Sequence, residues 1–92
     1  MQGEQAEIIA LQALGWLAGN EELLPVFLGA TGADGADLRA RAGDADFLAS
    51  VLDFLLMDDQ WVLECTSAIA APPESLMRAR MYLPGGDAVN WT

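Results

Sequence analysis

The sequence contains no lysine and no histidine, and its four arginines stand against 14 aspartates and glutamates, giving a formal net charge of -10. Proteins that bind nucleic acids or anionic membranes neutralise phosphates with clustered cations, which this chain lacks. The composition therefore argues against a nucleic-acid or membrane partner. A basic protein would instead be attracted to the chain, although the acidic residues also serve simply to keep it in solution.

Histidine and cysteine carry much of enzymatic and metal chemistry, and the chain has none of the first and one of the second, Cys65. A nucleophilic Cys65 would lack an imidazole partner, and a zinc site needs several such ligands. Cys65 falls on an apolar helix face, so we expect it to be buried and slow to react. We expect no enzymatic activity, no catalytic residue, no metal and no cofactor.

The acidic residues offer a further route to chemistry, but a simpler explanation covers them. Three close pairs stand where helices are predicted to begin, and there an aspartate caps free backbone N–H groups. These pairs are Asp34 with Asp37, Asp44 with Asp46, and Asp58 with Asp59. The spaced acidic loop that binds calcium is absent. Asp46 and Asp53 share a helix face roughly 10 Å apart, and we interpret them as a solvated stripe.

Long apolar runs are also lacking. The longest uncharged apolar stretch lies between Glu7 and Glu21 and has 13 residues, whereas about 20 are needed to span a bilayer. The N-terminal residues carry no positive charge, so they do not resemble a secretory signal. These features, together with a single cysteine, predict a cytoplasmic protein.

β-Branched residues are scarce, with only three Ile and four Val, and no alternating run is present. The sequence therefore predicts one all-helical domain over residues 1–92, with a short C-terminal tail from about residue 84. Its most apolar segment, residues 45–57, is polar only along a narrow stripe that contains Asp53. We expect five to six short helices in a compact orthogonal array around this central helix. The predicted helices cover 4–18, 20–31, 35–42, 45–57, 59–70 and 73–83.

The first helix is the least clear, because apolar residues occur on both of its sides. The spacing favours an inward face formed by Ile8, Leu11, Leu14, Gly15 and Ala18. Ile9, Gln12 and Trp16 would then point outward. Since tryptophan is enriched at binding hot spots, these three residues and Trp91 form a predicted partner surface. The alternative is that the tail around Trp91 covers Trp16 within the same molecule.

Hydrophobic residues make up 53% of the chain, which is a high proportion for a small domain. Part of this apolar surface must remain outside, and association with a protein partner or with a second copy would cover it. We therefore expect a non-enzymatic protein–protein interaction module, with a homodimer as one form. The alternatives are a small-molecule or lipid binder with a pocket between core helices, and an enzyme subunit that contributes no chemistry of its own.

The last predicted helix places Arg80 on its inward side, together with Leu76, Ala79 and Leu83. A guanidinium in that position needs a partner, and Asp53 is the expected one. As a buried pair, Arg80 and Asp53 would make the change Arg80→Met cost on the order of 3 kcal/mol. The alternative is that Arg80 holds an anionic ligand.

Four segments of the chain resemble those of a known family: LQALGWLAGNEELLPVFLGATG (11–32), Leu38-Arg39, DADFLASVLDFLLMDD (44–59) and PPESLMRARMYLPGG (72–86). They are similar to an alphaproteobacterial family, domain of unknown function 3572. The resemblance covers nearly the whole chain. It implies a stand-alone, all-helical bacterial protein, and it implies no activity, ligand or catalytic residue.

Overall fold

The computed structural model describes residues 3–84, and within them it contains six α-helices. The helices are α1 (Gly3–Ala18), α2 (Leu23–Thr31), α3 (Gly35–Ala40), α4 (Ala45–Leu55), α5 (Asp59–Ala68) and α6 (Ser75–Met81). The predicted all-α array is confirmed, and each helix lies where the sequence placed it. The predicted C-termini of α3, α4, α5 and α6 are two residues too long, and α2 and α6 begin three and two residues later than predicted. None of the six helices is long and apolar enough to cross a membrane.

Side-chain caps fix the starts of α3, α4 and α5 and the turn that leads into α2. Asn20 Oδ1 accepts hydrogen bonds from the N–H groups of Glu22 and Leu23, each at 3.0 Å. Asp34, Asp44 and Asp58 cap α3, α4 and α5 in the same way. At α3 the Asp37 carboxylate also accepts from the Asp34 N–H, which completes a capping box. The acidic pairs therefore act as caps, as predicted.

α1 occupies the centre of the array, because it packs against α2, α4, α5 and α6. α4 is the helix most completely removed from water, with seven of its eleven residues buried. The wide apolar arc of α4 was thus a correct sign of burial. It did not identify the helix with the most neighbours, since α1 makes its contacts through small side chains that give a weak hydropathy signal.

The inward face predicted for α1 is wrong except at Leu14, which is buried as predicted. The residues that face the core are Ala6, Ala10, Ala13, Leu14 and Leu17. Ile8 and Leu11 are instead 50% and 43% exposed. The buried arc is rotated by roughly 120° from the predicted one. Its three alanines let α4 and α6 lie close to the α1 backbone, and large residues there would hold them apart.

The larger core side chains come from the other helices. Phe27 of α2 meets Phe47 and Phe54 of α4 edge to face, with ring centroids 6.0 and 5.3 Å apart. Trp61 of α5 stacks on Phe54 at 4.8 Å. These contacts hold α2 and α5 against α4. They leave the outer sides of α1, α5 and α6 available to solvent.

Candidate interaction surface

An apolar groove lies where the end of α4, the outer side of α5 and the start of α6 meet. It is about 440 Å³ in volume, and we call it the methionine groove. Its apolar lining consists of Leu56, Val62, Leu63, Pro73 and Met77. Leu63 and Met77 are each more than half exposed. Exposed Met57 adjoins Leu56, and exposed Met81 follows Met77 by one helical turn. An exposed apolar groove on a small protein is typical of a binding site.

The loop between α5 and α6 sets the width of the methionine groove. Ala70 adopts a left-handed backbone conformation with φ of 58°, which turns the chain after α5. The Ala71 N–H then donates to the Thr66 carbonyl at 2.9 Å. Ser75 donates from its hydroxyl and its N–H to the Pro72 carbonyl, at 2.6 and 2.9 Å. These bonds fix the start of α6 beside α5 and leave a cleft between the two helices.

The polar residues at the methionine groove are carboxylates. Asp59 and Glu74 line it, and no arginine is among its lining residues. The rim of the groove is thus negatively charged, as is the whole chain, whose net charge is -10. A ligand that combines an apolar surface with positive charges would match both the lining and the rim.

A second apolar surface lies on the outer side of α1, where the sequence had placed the core. Ile8, Leu11, Gly15 and Ala18 are all exposed, and we call these four residues the α1 strip. Beside the strip a groove of about 340 Å³ separates α1 from α3. The α3 side of this groove contributes Leu38, Arg39 and Ala42.

The observed orientation of α1 differs from the predicted one, and this difference changes the predicted partner surface of Ile9, Gln12 and Trp16. Gln12 is exposed, whereas Ile9 and Trp16 are partly buried and pack against the core. Ile9 and Trp16 thus form the edge of the α1 core face and not an isolated outward patch. Trp91, the fourth predicted member, lies outside the described residues.

Arg80 and Asp53 join α6 to α4. Arg80 Nε donates to Asp53 Oδ1 at 2.6 Å, and Nη2 donates to Oδ2 at 3.2 Å. Arg80 Nη1 also donates to the carbonyl of Pro84 at 2.9 Å. The pair lies at a rim and is not buried, since the side chains of Arg80 and Asp53 are 19% and 58% exposed. Because these hydrogen bonds already engage the Arg80 guanidinium, a structural role explains its position without an anionic ligand.

The groups that could carry chemistry are few and separated. Cys65 is fully buried, and burial raises the pKa of its thiol to about 11. Within residues 3–84, no three His, Cys, Asp or Glu side chains lie together in a way that could hold a metal ion.

The methionine groove was not predicted from the sequence, because its residues come from three helices. The available signal was three methionines that each adjoin a charged residue, namely Met57, Met77 and Met81.

Taken together, the fold and surfaces of residues 3–84 define a small, acidic, all-α protein with exposed apolar surfaces on a closed core. The chain belongs to the family described as Protein of unknown function (DUF3572), whose model matches residues 3–86. No curated protein and no solved structure matches the chain.

Proposed function

We propose that this protein is a non-enzymatic interaction module that receives an apolar helix of a basic partner protein in its methionine groove. The observation that supports the proposal most directly is the exposed lining of Leu63 and Met77 between the carboxylates of Asp59 and Glu74. Methionine side chains are flexible and polarizable, so they adapt to the shape of a bound helix. Helices commonly bind in such grooves through apolar residues spaced three and four apart.

A pair of synthetic peptides tests the proposal. Both are amphipathic helices of roughly 16 residues with the same leucine face, and one carries lysine and the other glutamate on its polar face. We expect the lysine peptide to bind and the glutamate peptide not to bind. The variants Leu63→Glu and Met77→Glu should each weaken binding at least about tenfold. Equal binding of the two peptides would contradict the proposal.

The matched control for these variants is Val26→Glu, because Val26 is a half-exposed residue on α2, outside the groove lining. All three changes add one negative charge, which by itself would attract the lysine peptide more strongly. Weaker binding to Leu63→Glu and Met77→Glu alone can therefore be assigned to the groove. If Val26→Glu weakens binding equally, the groove is not the site.

A pull-down from native lysate with the same variants extends the test to natural partners. It should identify a basic protein whose capture is reduced by Leu63→Glu and Met77→Glu but not by Val26→Glu.

A small-molecule or lipid binder remains the second candidate, and one surface feature favours it. A groove of about 450 Å³ between the start of α1 and the α5–α6 loop combines Ile8, Ile9 and Pro72 with the charged residues Glu74 and Arg78. Apolar walls with a guanidinium and a carboxylate at the edge suit an amphiphile with a polar head group. Native mass spectrometry of the purified protein, with Arg78→Gln as the comparison, tests for such a ligand.

The proposal also places the protein in the cytoplasm, in keeping with its single thiol and its acidic composition. Immunolocalisation in fractionated cells is the direct measurement. Recovery in a membrane or extracellular fraction would contradict this part.

A further inference from the structure

The α1 strip has the residue spacing of a helix–helix seam. Ile8, Leu11, Gly15 and Ala18 follow one another at intervals of three, four and three residues, as the core positions of a coiled coil do. All four are exposed, and a Cβ added at Gly15 would meet nothing within 4 Å. The strip thus presents a face on which a further helix can lie directly against α1.

The two halves of the α1 strip are complementary in shape. The N-terminal half carries the large side chains Ile8 and Leu11, and the C-terminal half carries the small residues Gly15 and Ala18. Two copies of α1 placed antiparallel, with the symmetry axis between residues 11 and 15, bring each large residue over a small one. A surface that supplies both the protrusions and the hollows is what a two-fold interface requires.

We propose that two copies of this chain form an antiparallel, two-fold symmetric dimer through their α1 strips. In this register Ile8 of the second copy lies over Ala18, and its Leu11 lies over Gly15. Both enter the groove of about 340 Å³ between α1 and α3, which is lined by Leu11, Leu14, Gly15, Ala18, Leu38 and Ala42 among others. The interface therefore includes α3 as well as α1.

The charges beside the α1 strip fit the same arrangement. Among the described residues, two of the four arginines form ion pairs, Arg41 with Asp44 and Arg80 with Asp53. Within residues 3–84, Arg39 has no carboxylate oxygen within 4.0 Å, and it lines the groove at the C-terminal half of the strip. Glu7 is exposed on the same side of α1 at the N-terminal half. In antiparallel copies, matching sides of the two helices adjoin, so Arg39 lies next to Glu7 of the second copy.

Self-complementarity distinguishes a second copy from another partner. The α1 strip provides the knobs and the holes of the interface, and Arg39 and Glu7 beside it provide the cation and the anion. A basic protein of the kind proposed for the methionine groove would instead meet Arg39 with like charge. The dimer would also leave the methionine groove open, because that groove is formed by α4, α5 and α6.

Sedimentation equilibrium of the full chain tests the interface first. We expect a reversible equilibrium between monomer and dimer, with a dissociation constant of about 100 µM or below. The variant Leu11→Asp should be monomeric over the same range, whereas Val26→Asp, an equivalent change on α2, should still dimerise. Circular dichroism of both variants should match that of the unchanged protein, because Leu11 and Val26 are 43% and 49% exposed.

A charge exchange tests the register. Glu7→Arg and Arg39→Glu should each weaken the dimer at least about fivefold, because each places like charges next to each other. The double variant, with both changes in one chain, should recover the original dissociation constant within about twofold. Glu64→Arg, on the exposed side of α5, is the control for Glu7→Arg: it makes the same change in net charge away from the interface and should not weaken the dimer.

Three results would overturn the inference. A chain that stays monomeric at about 500 µM leaves the α1 strip to solvent or to a different protein. A dimer that survives Leu11→Asp has its interface elsewhere. A double charge variant that stays as weak as the single variants rules out the antiparallel register.

Discussion

Burial of Cys65 determines how its thiol reacts. The side chain is fully inaccessible, and its pKa is raised to about 11 by the loss of water around the sulfur. At pH 8 the reactive thiolate is therefore about 100-fold scarcer than for an ordinary cysteine. We expect a thiol reagent to label the folded protein at least about 100-fold more slowly than the protein in concentrated urea. Similar rates in the two states would show that α5 does not bury this residue.

The same thiol makes stability depend on alkaline pH. Its pKa rises from 9.0 to about 11 on folding, so its neutral form stabilises the folded state fully below pH 9. This contribution is lost as the pH rises from 9 to 11. Between pH 8.5 and 10.5 the unchanged protein should lose about 2 kcal/mol more unfolding free energy than Cys65→Ala. Urea unfolding at the two pH values measures the difference, and equal losses in both proteins would contradict the prediction.

The exposure of Asp53 lowers the expected contribution of its ion pair with Arg80. A fully buried pair would make Arg80→Met cost on the order of 3 kcal/mol, but exposed pairs contribute about 0.2–1 kcal/mol. Arg80 is largely covered and also binds the Pro84 carbonyl, while Asp53 is 58% exposed. We therefore expect Arg80→Met to lose about 1–2 kcal/mol of unfolding free energy.

Arg78→Met is the matched control for Arg80→Met, because Arg78 is an exposed arginine on the same helix. It should change the unfolding free energy by less than about 0.5 kcal/mol. Asp53→Asn should reproduce most of the loss seen in Arg80→Met. If Arg80→Met and Arg78→Met have equal effects in urea unfolding, the contact between α6 and α4 does not stabilise the fold.

At the scale of the helices, the sequence predicted boundaries better than orientations. Asn20, Asp34, Asp44 and Asp58 mark helix starts because a cap is a local interaction between neighbouring residues. The face of α6 was also predictable, since Leu76 and Ala79 are buried and Arg80 reaches Asp53. The corresponding prediction failed for α1, which is apolar on several sides.

The orientation of α1 depends on its neighbours and not on its own pattern. Ala6, Ala10 and Ala13 are buried because α4 and α6 approach closely there, which a hydropathy count does not reveal. The methionine groove was out of reach for a related reason, since three separate helices must meet to form it. Both features are set by tertiary packing, which the local sequence does not encode.

Two leucines of α1 distinguish the observed orientation from the one predicted from the sequence. Leu17 is fully buried, so Leu17→Ala should lower the unfolding free energy by about 2–5 kcal/mol. Leu11 is 43% exposed, so Leu11→Ala should cost less than about 1 kcal/mol. Both variants remove the same atoms from the same helix. Urea unfolding at low micromolar concentration, where a weak dimer dissociates, gives the comparison, and a larger effect at Leu11 would support the orientation predicted from the sequence.

At the scale of the whole molecule, the net charge of -10 acts on the two apolar surfaces in opposite ways. A basic partner is attracted to the methionine groove by the entire chain, and salt screens this attraction. A second copy meets the α1 strip with the same charge as the first, so the long-range force between copies is repulsive. The contact between Arg39 and Glu7 acts only at short distance and offsets part of that repulsion.

Salt should therefore separate the two binding events. Raising the NaCl concentration from about 0.02 to 0.5 M shortens the screening length from roughly 20 to 4 Å. The repulsion between copies acts over the longer distance, so it should fall more than the attraction of adjoining charges, and the dimer should become tighter. Binding of the lysine peptide to the methionine groove should become weaker over the same range. Sedimentation equilibrium and peptide titration at both salt concentrations give the two trends, and a dimer that weakens in parallel with peptide binding would indicate that charge, not the apolar α1 strip, holds the copies together.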